Sequence, residues 1–145
     1  MRHSVPTPAS EQPDAKMIAA AGRVARYIET LDRTLPARTF ASGHVTIVEN
    51  FPPYLFDGPG AVAAWAKAMR AHLAGITALR HSFGPAHDFS RTGDRAYFSL
   101  PTIWRGVIRG KPFTENGGWA FVLTKQKGVW RVRGYGWAVI ASTTG

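Results

Sequence analysis

Apolar residues recur every three or four positions in two stretches of the sequence, and this spacing predicts two amphipathic helices. Asp14 can cap the first, whose apolar stripe runs over Met17–Leu35, about five turns. Pro36 then stops this helix or starts a short second one over Ala37–Ser42. The second amphipathic stretch covers Pro59–Leu73. An amphipathic helix cannot bury its stripe alone, so both must pack against a sheet or against other helices.

The remaining segments are rich in β-branched and aromatic residues, a composition typical of strands. A first strand is predicted over His44–Phe51, and the proline-rich segment Pro53–Gly60 is predicted to be a loop without a regular ladder. Helices followed by an antiparallel meander predict an α+β fold with the helices on one face of the sheet. The later strands are expected over Ile76–Ser90, with a break or bulge at Gly84 and Pro85, over Arg95–Ile108 after a turn at Gly93, and over Trp119–Gln126 and Val129–Ala141.

The length of 145 residues fits one domain, predicted over residues 14–145 behind a flexible leader at 1–13. The chain is 45% hydrophobic, and no apolar run is long enough to cross a bilayer. No membrane partner is therefore expected, and the N-terminus lacks the apolar segment of a secretory signal. The absence of cysteine excludes disulfides, thiolate metal sites and cysteine nucleophiles, and is compatible with the cytoplasmic localisation that we expect.

The formal net charge of +9 raises the question of nucleic acid, but the 18 Lys and Arg residues are scattered along the chain. No zinc-finger spacing, aromatic RNA-binding motif or basic helix accompanies them. We therefore interpret the basic residues as a solvated sheet face and expect no specific nucleic-acid binding. Weak, salt-sensitive association remains the alternative.

Several strings, in their order and spacing, resemble the nuclear transport factor two-like superfamily, which includes steroid delta-isomerases and SnoaL-like polyketide cyclases. The resemblance covers nearly everything from Lys16 to Ala141. It implies a cone-shaped α+β barrel, in which a curved, mostly antiparallel sheet wraps around the helices and encloses an apolar pocket. It also implies frequent dimers, but no single reaction, because the superfamily includes enzymes, binders and scaffolds. The strings are ARYIE (Ala25–Glu29), VTIVE (Val45–Glu49), the proline loop up to Gly58, AVAAW (Ala61–Trp65), GDRAYFSLP (Gly93–Pro101) and the closing Trp130 and Trp137.

Glu49 and Tyr27 are the candidate catalytic residues. Glu49 resembles the carboxylate base of the isomerases, and its neighbours Ile47, Val48 and Phe51 predict an apolar setting that raises its pKa. The alternative is a strand-end carboxylate in solvent or beside an arginine. Tyr27 resembles the phenol donor that these isomerases carry on their first helix. The alternative is a core tyrosine whose hydroxyl reaches the rim.

Two further positions bear on the reaction. Steroid isomerases place a second acid, an Asp, on the penultimate strand, and Ala120 occupies the matching place here, so one half of that oxyanion hole is missing. Dehydratases of the superfamily use His with Asp, and His81 is the strongest histidine candidate. No histidine or carboxylate spacing predicts a metal site, and no fingerprint predicts a cofactor. We therefore expect chemistry that is independent of both.

Aromatic residues are the expected pocket wall. Phe98 and Trp104 share one face of the long strand, and that face should look into the cone. If Ala120 also faces the cone, Trp119, Phe121 and Leu123 point outward and form an apolar patch, which predicts a homodimer. The predicted ligand-binding residues are Trp65, Phe98, Trp104, Trp137, His81 and Tyr54.

These observations predict a pocket protein for a small apolar organic molecule. If it is an enzyme, the reaction is a cofactor-independent proton transfer: an isomerisation, a dehydration or an aldol-type cyclisation. The alternatives are a non-catalytic ligand-binding or dimerisation module, favoured by Ala120, and an accessory domain that binds nucleic acid.

Overall fold

Three helices and seven strands follow one another along residues 11–145, the part of the chain that the computed structural model describes. Residues 1–10, which make up most of the predicted leader, lie outside the described residues. The helices are α1 (Ala15–Thr30), α2 (Leu35–Thr39) and α3 (Ala61–His72). The strands are β1 (Val45–Val48), β2 (Leu55–Gly58), β3 (Ile76–Phe83), β4 (His87–Thr92), β5 (Arg95–Ile108), β6 (Lys111–Gln126) and β7 (Val129–Thr144).

Helix α1 begins at its predicted cap and ends earlier than its apolar stripe suggests. The Asp14 carboxylate accepts hydrogen bonds from the backbone N–H groups of Lys16 and Met17, both at 3.0 Å. The helix stops at Thr30, because Asp32 then accepts from the backbone and hydroxyl of Thr34 and holds the chain in a turn. The stripe that reads as five turns is therefore divided between α1 and α2. None of the described helices is long and apolar enough to cross a membrane.

The strands form one curved, unclosed sheet in the order β2-β1-β7-β6-β5-β3, with β4 also paired to β5. Paired strands are antiparallel except β1 and β7, which run parallel. Helix α1 packs against β7 and β3, and α3 packs against β1 and β2. The predicted α+β class and mostly antiparallel sheet are confirmed. The predicted loop at Pro53–Gly60 is wrong in part, because its second half pairs with β1 as strand β2 and buries Phe56.

The inward face of β6 is opposite to the predicted one. Trp119 and Phe121 pair directly with Leu100 and Phe98 of β5, and residues directly opposite each other share a face of the sheet. They are therefore buried, as is Leu123, while Ala120 is exposed. The prediction that Ala120 faces the cone is wrong. Trp119, Phe121 and Leu123 consequently do not form the outer patch on which the predicted homodimer depends.

Strand β7 changes its inward face part-way along. Leu123 pairs with Val132 and Val122 pairs with Gly134, so Arg133 is an extra residue, a β-bulge. Before the bulge Val132 points inward, and after it Tyr135 does, although they are three residues apart. Strict alternation from Val132 would place Tyr135 on the outer face. The bulge therefore decides which side chains of β7 reach the core.

Gly117 of β6 leaves room for the indole of Trp137. A Cβ atom there would lie 2.2 Å from the carbonyl oxygen of Ala138 and 2.7 Å from the Trp137 ring. The first neighbour is backbone and cannot swing away. Gly118, the next residue, would place its Cβ no closer than 3.9 Å to any atom, the nearest being the Leu100 oxygen.

We expect Gly117→Ala to lower the free energy of unfolding by about 2–3 kcal/mol, because the added methyl group overpacks the sheet. Urea denaturation followed by circular dichroism measures this loss. Gly118→Ala is the matched control and should change stability by less than about 0.5 kcal/mol. Equal losses in the two variants would contradict the packing seen at Gly117.

Candidate active site

A pocket opens at one end of the sheet, between the C-terminal end of α3 and the inner faces of β5, β6 and β7. Its cavity measures about 70 Å³, and the wider cleft, counted out to its open mouth, about 480 Å³. A cavity of this size accepts a few waters, and the cleft accepts one small organic molecule. The lining residues are Ile28, Glu49, Asn50, Phe51, Met69, His72, Leu73, Ile76, Leu79, Trp104, Phe113, Glu115, Trp119 and Trp137.

Glu49 lines this pocket, follows directly after β1, and is only 5% exposed. Its Oε2 atom accepts a hydrogen bond from Trp65 Nε1 at 3.0 Å and a second, short one from the Tyr135 hydroxyl. Its Oε1 atom accepts no hydrogen bond from the described residues. One oxygen of the carboxyl group is therefore fixed, and the other is available to a molecule in the pocket.

Burial raises the pKa of Glu49 from its ordinary 4.5 to about 7, because desolvation disfavours the charged form. The hydrogen bonds from Tyr135 and Trp65 oppose this shift, and the nearby charge of Glu115 adds to it. No arginine or lysine of the described chain pairs with Glu49. The carboxyl group is therefore not the salt-bridged, solvated residue of the alternative interpretation.

The elements that hold Glu49 come from distant parts of the sequence. The parallel pairing of β1 with β7 sets Ile47 beside Tyr135, and this brings the Tyr135 hydroxyl to the carboxyl group at the end of β1. Trp65 comes from α3, is completely buried, and packs against Tyr27, Phe40 and Tyr135. Burial and the adjacent carboxyl group raise the pKa of Tyr135 well above its usual value, so its phenol keeps the proton that it donates.

Sequence reasoning missed Tyr135 and named Tyr27 instead. Tyr27 is buried against Trp65 at a ring distance of 5.2 Å but is not among the lining residues. Its hydroxyl has no hydrogen-bond partner among the described residues. The predicted placement of Tyr27 in the pocket is therefore wrong. The signal for Tyr135 is its spacing of two from Trp137, which puts both on one face of the strand.

The predicted wall residues divide into two groups. Trp104 and Trp137 line the pocket. Trp65 and Phe98 do not, because both are fully enclosed in the core, where Phe98 packs against Phe121. Tyr54 does not either: it adopts a left-handed φ of 70° in the turn between β1 and β2 and is 57% exposed.

His81 also lies outside the lining residues, but it has a carboxylate partner. Its Nδ1 atom is 2.7 Å from Oε2 of Glu29, which also accepts a hydrogen bond from the His81 backbone at 2.8 Å. The His81 ring packs between Phe83 and Trp104, the second of which is a pocket residue. Sequence reasoning did not predict this pair, because 52 residues separate its members.

A second carboxyl group faces the pocket from β6. Glu115 stands opposite Trp104 in the β5–β6 ladder, and its partial burial raises its pKa. Among the described residues, His72 is the one basic residue of the lining; its ring stacks on Phe51 at 4.2 Å, and burial lowers its pKa. The penultimate strand thus supplies an acid to the pocket, but at Glu115 rather than at Ala120.

We expect the buried carboxyl group of Glu49 to make stability depend on pH. Its folded pKa lies above its unfolded value, so its ionisation costs stability, and the free energy of unfolding falls as pH rises from about 4.5 through 7. The full cost is about 3 kcal/mol. Glu49→Gln removes this contribution and should be more stable than the wild type near pH 8, by urea denaturation at several pH values. Parallel stability curves for the two proteins would refute the raised pKa.

We expect Tyr135→Phe to raise the pKa of Glu49 further, by about one unit, because the carboxylate loses a donor. Tyr27→Phe is the matched control: both tyrosines are buried against Trp65, but the Tyr27 hydroxyl has no hydrogen-bond partner within residues 11–145. It should leave the pKa of Glu49 unchanged and stability equal or slightly higher. Carboxyl-carbon NMR titration of Glu49 measures both variants. Equal shifts would show that the hydrogen bond does not tune the carboxyl group.

Comparison with known proteins finds similarity in the structure and not in the sequence. No protein-family model matches the sequence, and no curated protein matches it significantly. Among solved structures, the Kfla4162 protein of Kribbella flavida is similar with a TM-score of 0.76 at 16% identity, over 89% of this chain and 91% of that one. A type 2 hexachlorocyclohexane dehydrochlorinase (LinA) is similar at 0.75 and 10% identity, over 90% and 87% of the two chains.

A third structure, from Shewanella frigidimarina and named provisionally as a ketosteroid isomerase, is similar with a TM-score of 0.67 at 20% identity, over 86% of this chain and 96% of its own. At these identities the likeness concerns the arrangement of helices and strands. It agrees with the α+β architecture and with the resemblance of the sequence strings. The chain therefore has the fold of the nuclear transport factor two-like superfamily.

Proposed function

We propose that this protein catalyses a cofactor-independent proton transfer on a small, largely apolar organic molecule, with Glu49 as the base. The observation that carries the proposal is the state of this carboxyl group: it is buried in the lining of a pocket, Oε2 is fixed by two hydrogen bonds, and Oε1 accepts none from the described residues. Isomerisation, dehydration and aldol-type cyclisation share one step, removal of a proton from a carbon next to a carbonyl group. The proposal concerns that step.

Each feature of the site favours that step. A pKa of about 7 leaves a large share of Glu49 ionised at neutral pH and makes it a stronger base than a solvated carboxylate. Trp65 and Tyr135 fix the group, so that Oε1 presents its lone pairs in one direction. The indoles of Trp104, Trp119 and Trp137 supply apolar surface that excludes water from the reacting carbon.

The structural neighbours give independent support. The names of two of them, a dehydrochlorinase and a ketosteroid isomerase, are those of enzymes that act on small organic molecules. A fold by itself does not fix a reaction, so the proposal depends on the pocket of this chain. The predicted donor role of Tyr27 is not part of it, because the Tyr27 side chain does not line the pocket.

A second group could perform the same step. Glu29 accepts from His81 at Nδ1, and this arrangement leaves the other ring nitrogen of the histidine to exchange a proton. The Glu29 side chain is only 8% exposed, so its orientation is well fixed. We rank this pair second, because His81 does not line the pocket.

Exchange of α-protons tests the proposal with a small ketone probe, 4,4-dimethylcyclohexanone in D₂O, followed by NMR. We expect catalysed exchange whose rate rises with pH and is half-maximal near pH 7, since only ionised Glu49 accepts a proton. Glu49→Gln should reduce the catalysed rate by at least about 100-fold, the usual contribution of a general base.

His81→Asn is the comparison variant, and it should retain most of the activity. If His81→Asn loses the exchange activity and Glu49→Gln retains it, the base is the Glu29–His81 pair and not Glu49. Absence of catalysed exchange in the wild type, with the probe bound, would instead favour a non-catalytic ligand-binding module.

A further inference from the structure

The pocket has a charge opposite to that of the rest of the chain. The protein has 18 Lys and Arg residues against nine Asp and Glu residues, yet none of the lysines and arginines within residues 11–145 lines the pocket. Two carboxyl groups do, Glu49 and Glu115. In a chain with twice as many cations as anions, this distribution makes the pocket an acidic site inside a basic protein.

Neither carboxyl group has a positive partner in the described chain. The two ion pairs found there join other residues, His44 with Asp57 and His81 with Glu29. The remaining candidate is His72 of the lining, but burial lowers its pKa and favours the neutral ring. A buried carboxylate without a counter-charge is costly, so a cation that enters the pocket gains what the protein does not supply.

The aromatic wall is suited to the same charge. The ring centroid of Trp119 lies 6.3 Å from that of Trp104 and 5.1 Å from that of Trp137. Three neighbouring indoles therefore line the pocket. Gly117 admits the Trp137 ring to this position. Indole faces attract organic cations within about 6 Å, and they also bind the apolar part of the same molecule.

Glu49 is placed to complete the site. It is 5% exposed, and its Oε1 atom is without a hydrogen-bond donor among the described residues, although the side chain lines the pocket. An anionic ligand would meet two carboxyl groups, and a neutral one would leave both without a counter-charge. A ligand with a positive nitrogen supplies a counter-charge to the carboxyl groups and is also attracted by the indole rings.

We propose that the pocket selects a small organic molecule that carries a positively charged nitrogen, a quaternary ammonium or a protonated amine, held by Glu115 and the three indoles. This deepens the proposed function, on which it rests for the reacting step, by naming the substrate class. In this arrangement Glu115 faces the positive nitrogen, and Glu49 faces the carbon to be deprotonated.

Two isosteric ketones test the charge preference. The 1,1-dimethyl-4-oxopiperidinium cation and 4,4-dimethylcyclohexanone have the same shape and differ in one atom, nitrogen for carbon, and in charge. Their dissociation constants are measured by tryptophan fluorescence near pH 8, about one unit above the pKa of Glu49. We expect the cation to bind at least about tenfold more tightly than the neutral ketone.

Glu115→Gln should remove most of this preference by weakening the cation alone, with the affinity for the neutral ketone nearly unchanged. Asp94→Asn is the matched control: it changes the net charge equally, but Asp94 lies in the exposed β4–β5 turn. It should leave the preference intact. Circular dichroism and thermal denaturation establish that both variants are folded.

Equal or tighter binding of the neutral ketone, no binding of either probe, or an unchanged preference in Glu115→Gln would overturn the inference. The proposed function is judged separately, by the α-proton exchange of the neutral ketone and its loss in Glu49→Gln. Exchange of the neutral ketone without cation preference would refute only the substrate class. Cation preference without exchange of either ketone would support the charged ligand and refute the proton transfer.

Discussion

The carboxyl group of Glu49 is buried among aromatic side chains and pairs with no cation in the part of the chain that the structure describes. Its burial would be prohibitive without partners, and the fold supplies two, the indole of Trp65 and the phenol of Tyr135. These donors come from α3 and β7, so the packing of the helix and the parallel β1–β7 pairing converge on one oxygen atom. The resulting tension between desolvation and hydrogen bonding sets the pKa near neutrality, where a carboxyl group can both accept and return a proton.

The bulge at Arg133 makes this arrangement possible. It shifts the inward face of β7 by one residue, so that both Val132 and Tyr135 point inward and the Tyr135 hydroxyl reaches Glu49. Arg133 itself points outward and donates to the carbonyl oxygens of Ser42 and His44, at 2.9 and 2.7 Å. The bulge residue Arg133 thus connects β7 to the segment before β1 through two hydrogen bonds. The change of inward face that it causes brings the Tyr135 hydroxyl to Glu49.

Four basic residues of the chain contact backbone carbonyl groups or an aromatic ring. Arg131 donates to the carbonyl oxygen of Ala37, and Arg23 reaches that of Trp130, while Arg91 and Lys125 lie over the Trp130 ring. These contacts satisfy cations with carbonyl groups and an aromatic face instead of carboxylates. None of these four cations pairs with Glu49 or Glu115, and the net charge of the chain says little about the charge of its pocket.

The sequence by itself determined the fold class, the first helix cap, the long strand β5 with its inward face, and Glu49 as a carboxyl group among apolar neighbours. These are local properties: a cap, a period of two or of 3.6, and the residues next to Glu49 are all readable within a few positions. Only the tertiary structure decided the inward face of β6, the pairing of β2, the Glu29–His81 contact and the choice of Tyr135 over Tyr27. Each of these depends on strand register, on a bulge, or on contacts between residues far apart in the chain. A one-residue shift in register moves every side chain of a strand to the opposite face of the sheet.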